Sequence, residues 1–105
     1  VVAMLESGEV RGWCAVSAGQ VVGFSLATVE TREINALFVL PGSSGQGLGQ
    51  ALLDIAVHFL RRQAPGIVRL RTDPQMPAYR FYRKRGWRDT GERHEHSDDV
   101  FLELE

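Results

Sequence analysis

The stretch I-N-A-L-F-V-L-P-G-S-S-G-Q-G-L-G-Q-A-L-L-D-I-A-V-H-F-L, Ile34 to Leu60, decides the fold. Ile34 to Leu40 is almost wholly apolar without clean alternation, which predicts a strand buried on both faces. Pro41 cannot donate to a sheet ladder and ends that strand. Gly42, Ser43, Ser44 and Gly45 supply a turn. Leu48, Ala51, Leu52, Ile55, Ala56, Phe59 and Leu60 then recur at helical spacing, with Gln50, Asp54, His58 and Arg61 mostly off that stripe. Gly45, Gly47 and Gly49 alternate where the helix begins. A glycine costs a helix interior about 1 kcal/mol against alanine. Three at one end therefore predict that something approaches the backbone closely. The first N–H groups of a helix lack internal partners and carry the positive end of its dipole, so this end can hold a phosphate or pyrophosphate.

Upstream, Val1 to Leu5 is apolar and reads as a first strand or a helix end. Trp13 to Val16 reads as a strand, Ala18-Gly19-Gln20 as a turn, and Val21 to Val29 as the strand returning from it, with Gly23 at a bulge. Thr28 to Glu33 is a second turn region. Downstream, Ala64-Pro65-Gly66 stops the long helix. Ile67 to Thr72 is a strand, and strand, helix and strand make a βαβ unit, so Ile34–Leu40 and Ile67–Thr72 are expected to run parallel. Pro77 suits a helix start, Ala78 to Arg85 a short helix, and Gly86 its C-cap. Trp87 to Thr90 and Val100 to Leu104 are the last strands, with a polar hairpin loop over Arg93 to Asp99.

At 105 residues the chain is expected to be one domain, residues 1–105, with one core. A formal net charge of −1 gives no electrostatic case for nucleic acid or an anionic membrane. Arg80, Arg83, Lys84, Arg85 and Arg88 cluster locally and read as a solvated helix face. Cys14 is the lone cysteine, so no intramolecular disulfide can form. It reads as a small core residue in a reducing, cytoplasmic protein. No apolar run nears the ~20 residues a membrane span needs. His94 and His96 flank Glu95, but nothing else supports a metal site there, and the reading is a polar loop tip with no metal.

Phosphate-binding patterns narrow the choice. The P-loop pattern needs a lysine where Gln50 stands, and the dinucleotide fingerprint needs a different glycine spacing. The run V-L-P-G-S-S-G-Q-G-L-G-Q-A-L-L instead resembles the acyl-CoA-binding motif of GNAT-type N-acetyltransferases, Val-x-Pro-x-x-Arg-Gly-x-Gly-x-Gly/Ala. Ser44 departs from it, since the family usually has Arg or Gln there; serine can donate to a phosphate but brings no charge. Gln75 to Trp87, Q-M-P-A-Y-R-F-Y-R-K-R-G-W, resembles the second GNAT signature, Asn-x-x-Ala/Ser-x-x-Phe-Tyr-x-x-x-Gly-Phe. Gln75 replaces the asparagine and Trp87 the phenylalanine, while Ala78, Phe81, Tyr82 and Gly86 match. The resemblance covers roughly Val21 to Trp87.

The resemblance implies an α/β fold of the α+β type. Its sheet is mixed and mainly antiparallel, with a central splayed parallel pair, one long and one short helix, and N-terminal helices reduced or missing. It implies acetyl-CoA as acyl donor and, as acceptor, an amine of a small molecule or peptide. Its pantetheine arm would bond backbone at Leu37, Phe38 and Val39. Its pyrophosphate would lie on Ser44, Gly45, Gln46, Gly47, Leu48, Gly49 and Gln50. Gln75 would reach the arm from the other side. Tyr82 would be the general acid that protonates the departing thiolate, and Glu33 the base that deprotonates the amine. Phe81 is expected in the core and Tyr79 at a partly buried surface. Almost nothing precedes Trp13, where members usually have helices that wall the acceptor site. The chain is then either truncated or a minimal member whose site is open or completed by a partner chain, a homodimer included. The alternatives are a CoA-binding module without transferase activity and a nucleotide-binding fragment.

Overall fold

The computed structural model describes residues 10–43 and 47–105 in full and residues 2–7 by their backbone. Ser44, Gly45 and Gln46, expected to cradle a pyrophosphate, lie outside the described residues. Contacts divide the chain into two compact units, Val1–Pro65 and Gly66–Glu105.

In the first unit, β1 (Val2–Ser7), β2 (Val10–Ser17), β3 (Gln20–Thr28) and β4 (Glu33–Val39) pair antiparallel in chain order. The apolar start, open between strand and helix in the sequence, is therefore a strand. Ala18 (φ 51°) and Gly19 (φ 78°) make a two-residue hairpin between β2 and β3, both in the left-handed region such turns use. The register slips between Ala15 and Val16, leaving Val22 as the extra residue beside Gly23. β4 leads through a single 3₁₀ turn, Pro41–Ser43, to α1 (Leu48–Gln63).

Helix α1 packs on β2, β3 and β4. Its buried stripe is Leu52, Leu53, Ala56, Val57 and Leu60, rotated from the expected one. Ala51 is exposed, and Ile55 and Phe59 are half-buried. The cause is Phe59. Its ring turns to the flank, where it meets Trp13 edge-on at 5.4 Å and carries the Arg11 guanidinium at 4.3 Å. The strand reading of Ile34–Leu40 needs a similar correction. Ile34 is buried, but Asn35 is exposed and Phe38 is 45% exposed, so β4 is not covered on both faces. Cys14 is half-buried on a strand whose buried residues are Gly12, Trp13 and Ala15, so it is not a core residue.

The core of this unit closes where β3 lacks a side chain. A Cβ on Gly23 would meet the Phe38 carbonyl oxygen at 2.8 Å and Leu52 Cδ1 at 3.0 Å. One residue pair further along β3, the fully buried Ser25 hydroxyl donates to the Leu52 carbonyl at 3.1 Å. That bond gives a buried polar group its partner. At the other end, the Arg32 guanidinium donates to the Ala64 carbonyl at 2.7 Å, satisfying an acceptor just past the helix.

In the second unit, β7 (Val100–Leu104) is the middle strand, antiparallel to β5 (Val68–Thr72) and to β6 (Arg88–Arg93). Val68, Leu70, Val100 and Leu102 alternate into its core beside Trp87. The outer face is ionic: Arg69 meets Glu92 and Glu103, Arg88 meets Glu103, and Arg71 meets Asp99. Exposed pairs of this kind contribute ~0–1 kcal/mol each, so the apolar alternation holds the strands. β6 runs to Arg93, beyond the expected Thr90, and the polar loop occupies residues 94–99. The short helix α2 (Pro77–Lys84) starts on its proline as expected.

Gly23→Ala is expected to destabilise the protein by about 1–3 kcal/mol through overpacking against backbone. Urea denaturation against the parent checks it; a change below ~0.5 kcal/mol contradicts the close approach.

Candidate functional site

Helix α1 opens on Gly47, at φ 78° and ψ 6°, with no side-chain capping bond. Left-handed backbone is the reason for glycine at this position. A cap such as serine or aspartate would fill one of the first amide donors. Among the described residues none does, and apart from the glycine's own chain neighbours none of their atoms lies within 4 Å of where a Gly47 Cβ would stand. Leu48, Gly49 and Gln50 form the first turn and are half-buried. The first amides of a helix lack partners within it and stand at the positive end of its dipole. The first turn contains no acidic residue that would repel an anion. The Gln50 amide donates to Asp54 at 2.6 Å, one turn along. These features fit a phosphate-bearing ligand: no side-chain cap among the described residues, an absent Cβ and no carboxylate in the first turn.

β4 leads into that end. Leu37 and Val39 are half-buried, and Phe38 is exposed with its ring 5.7 Å from Phe24. Leu40 is exposed as well. At the head of the strand stands Glu33, half-buried, with Asn35 Nδ2 donating to its carboxylate at 3.3 Å. The Thr28 hydroxyl donates in turn to the Asn35 carbonyl oxygen. Asn35 is the extra residue where the β3–β4 register slips, since Ala27 faces Ile34 and Leu26 faces Ala36. A bulge of this kind bends a strand and re-aims side chains. Sequence reading missed this arrangement. The available signal was one amide residue inside an otherwise apolar run.

In the second unit, the Tyr82 ring is buried, 7% exposed. Its place is fixed by the way α2 ends. Gly86, at φ 91°, donates its amide to the Arg83 carbonyl, and Trp87 donates to the Tyr82 carbonyl, both at 3.3 Å. These are the two bonds of a Schellman closure, which also brings the residues at its two ends into contact. Those residues are Tyr82 and Trp87, with ring centroids 6.0 Å apart. The spacing Tyr-x-x-x-Gly-Trp is thus the spacing of a helix end folded onto its own aromatic.

Burial pushes the Tyr82 hydroxyl up to about 12. Among the described residues nothing hydrogen-bonds to it. It therefore keeps its proton through neutral and mildly alkaline pH and can serve as a proton donor. Phe81, expected in the core, is half-buried instead, and the Arg85 guanidinium lies over its ring at 3.7 Å. Tyr79 is partly buried as expected, and its hydroxyl donates to Asp89 at 2.7 Å. That bond raises the Tyr79 pKa. The Asp89 carboxyl is held below its usual range, first by the Gly91 amide and then by Tyr79.

Gln75 is exposed in the loop before α2, where its backbone amide donates to Asp73 at 2.9 Å. The basic cluster is exposed as expected: Arg83 donates to the Trp87 carbonyl, Arg85 to the Phe81 carbonyl, and Arg88 to Glu103. His94 and His96 sit in the 94–99 loop, with His96 against Glu95. Among the described residues no group of three or more His, Cys, Asp or Glu is placed to hold a metal ion. No described helix is long and apolar enough to cross a membrane.

In the first unit a strand leads to a helix that opens on a left-handed glycine, and in the second a short helix closes on a buried tyrosine. The profile of the acetyltransferase (GNAT) domain matches residues 2–103, and the chain belongs to that family. It is 36% identical over 80 residues to the peptidyl-lysine N-acetyltransferase YjaB of Salmonella typhimurium, covering 75% of this chain and 51% of that protein. The chain thus spans about half the length of that curated relative. Among solved structures, the PaiA N-acetyltransferase of Thermoplasma acidophilum, in complex with coenzyme A, superposes with a TM-score of 0.80 at 20% identity, over 92% of this chain and 61% of that one. The ribosomal-protein-S18-alanine N-acetyltransferase of Escherichia coli gives 0.78 at 19% identity, over 94% and 70%. The mixed, mainly antiparallel fold expected from the sequence is therefore the fold of this chain.

The raised Tyr82 pKa has a consequence for stability. Above pH ~10 the unfolded chain loses the phenolic proton that the folded chain keeps until about 12, so unfolding gains. Folding stability is expected to be unaffected below pH 10 and to fall by roughly 3 kcal/mol toward pH 12. Urea titrations of the parent and Tyr82→Phe measure it as a difference, and parallel pH dependences above pH 10 contradict it.

Proposed function

We propose that this chain is an acetyltransferase domain of the cytoplasm that moves an acetyl group from acetyl-CoA to a primary amine of a small molecule or peptide. The observation that carries the reading is the left-handed Gly47 at the start of α1, with no side-chain cap among the described residues, downstream of a strand whose Phe38 is left uncovered, as is Leu40 just past its end. In this reading the pyrophosphate takes the amides of Gly47 to Gln50, together with those of Ser44, Gly45 and Gln46. The pantetheine arm follows the backbone of Leu37, Phe38 and Val39, and Gln75 supplies a further polar contact.

The chemistry needs two proton movements. The amine nitrogen attacks the thioester carbon, and the carbon–sulfur bond breaks with its electron pair going to sulfur. Tyr82 delivers its hydroxyl proton to that sulfur. General acid help is worth about 10²–10⁴-fold, and most when the acid's pKa is near the working pH. A hydroxyl near 12 is far from that match, which puts Tyr82 at the lower end of the range. Glu33 accepts the amine proton, directly or through water, with Asn35 as the positioning residue that holds its carboxylate. Placing the amine beside the thioester supplies much of the remaining rate. YjaB is named for action on peptidyl-lysine, which makes lysine peptides the first acceptors to try.

Calorimetry with acetyl-CoA, ATP and NAD, followed by an acetylation screen over amines and lysine peptides, tests the reading. Acetyl-CoA is expected to bind in preference to both nucleotides, and at least one amine class to be acetylated. Binding without turnover on any amine would assign a CoA-binding module instead. Tyr82→Phe is expected to lower kcat about 10²-fold while leaving acetyl-CoA affinity within about twofold. Glu33→Gln is expected to lower kcat about 10²-fold while leaving acetyl-CoA affinity within about twofold; an unchanged kcat would take the base role away from Glu33.

A further inference from the structure

The polar loop over residues 94–99 in the second unit is tied by a side chain that can change charge. Its ends are joined by backbone, the His94 amide donating to the Asp99 carbonyl at 2.9 Å. Inside that closure the His96 amide donates to His94 Nδ1 at 3.2 Å, and the Ser97 hydroxyl lies 3.2 Å from the same nitrogen. The Ser97 oxygen also accepts the Asp99 amide at 3.2 Å. Two amides of one loop thus end, directly or through one hydroxyl, on a single imidazole nitrogen. The His94 ring is half-buried, 6.4 Å from the Phe101 ring of β7 and 6.0 Å from that of His96.

A neutral imidazole has one donor nitrogen and one acceptor. A backbone N–H can only donate, so the nitrogen it meets must carry a lone pair. The His96 amide therefore assigns the His94 proton to Nε2. The Ser97 hydroxyl then donates to Nδ1 and keeps its oxygen for the Asp99 amide. A second proton on the ring has to go to Nδ1. It would meet the His96 amide donor to donor, and it would force the Ser97 hydrogen to turn away. Asp or Asn commonly takes the amide two residues on with a side-chain oxygen, which stays an acceptor at neutral pH. Here a histidine does so, and histidine is the side chain whose ordinary charge change falls between about pH 5 and 8.

The charged groups around the ring are Glu95, paired with His96 at 2.9 Å, exposed Asp98, and Asp99, held by Arg71 of β5 at 3.3 Å. Arg93 precedes the ring on β6, and Arg69 of β5 lies over the Phe101 ring at 4.4 Å. We propose that His94 is a pH-operated latch on this loop. Neutral, it holds the His96 amide and the Ser97 hydroxyl; protonated, it releases both, and the turn over residues 96–98 opens. The latch bears on a cleft of about 500 Å³ lined by Asp73, Pro74, Gln75, Arg93, Ser97 and Asp98. Ser97 and Asp98 are the loop's share of that lining. Gln75 is the residue proposed above to touch the carrier, so a proton on His94 acts on the cleft beside it.

The test is a heteronuclear NMR titration of the ligand-free chain from about pH 8 to about pH 5, reading the imidazole nitrogens and the backbone amides at positions 96, 97 and 98. At the upper end the His94 proton is expected on Nε2. As the pH falls, the three amides are expected to shift together, with the midpoint of the His94 ring. His96 titrates in its own right, so the series is repeated with His96→Gln, which is expected to keep the transition. His94→Asn offers the same amide an oxygen that does not titrate and is expected to flatten it. A His94 proton on Nδ1 at the upper end, a midpoint that follows the His96 ring, or a transition that survives in His94→Asn would each overturn the proposal. The tautomer is read on the parent, so it decides even if a variant misfolds. No cosubstrate is present, so the outcome is independent of whether acetyl-CoA binds.

Discussion

The meeting of α1 with β3 at Gly23 is the constraint on which the first unit rests. A helix can lie this close to a sheet only where a strand offers no side chain, and here the Leu52 methyl and the Phe38 carbonyl both crowd the glycine. The Ser25 hydroxyl then pins the Leu52 carbonyl from the same strand. These contacts fix the height and rotation of the helix together. Once they are set, the buried stripe has to be Leu52, Leu53, Ala56, Val57 and Leu60, and Phe59 has to go to the flank. The direction of the helix start is settled by the same contacts. A free amide is useful to a ligand only if the helix behind it does not swing.

In the second unit the corresponding constraint is the closure of α2. Gly86 takes a positive φ that other residues avoid, and this lets Trp87 fold back over Tyr82. Burial by that fold raises the phenol's pKa and keeps it protonated. One backbone turn thus decides both where the hydroxyl is and which direction a proton can travel through it. Tyr79, one turn earlier, has a hydroxyl too, but Asp89 holds its proton. The two tyrosines of the chain are separated by partner, not by residue type.

Much of this was legible in the sequence because glycine and proline leave unambiguous marks. Pro41 ended β4, Pro77 began α2, and Gly86 closed it, each for a steric reason that no tertiary contact can reverse. Periodicity was less reliable. It recognised α1 as a helix but chose Ala51 for the buried face and overlooked Leu53 and Val57. Small and branched residues fit either flank of a stripe, and a neighbouring Trp13 decides between them. The apolar run of β4 suggested a strand covered on both sides, yet Phe38 is largely open. An apolar run states that a surface prefers not to meet water; it does not state what covers it. The Asn35 bulge left only one faint mark, an amide residue in an apolar run, because register depends on the partner strand.

The Arg32 side chain reaches the Ala64 carbonyl, joining the turn ahead of β4 to the residue that follows α1. Strand, 3₁₀ turn and helix are thereby fastened at both ends of one circuit. The entropy of orienting this circuit is given up when the chain folds, before any carrier arrives. If a diphosphate binds at the start of α1 as proposed, it finds its donors aimed in advance, and more of its contact energy is left to appear as affinity.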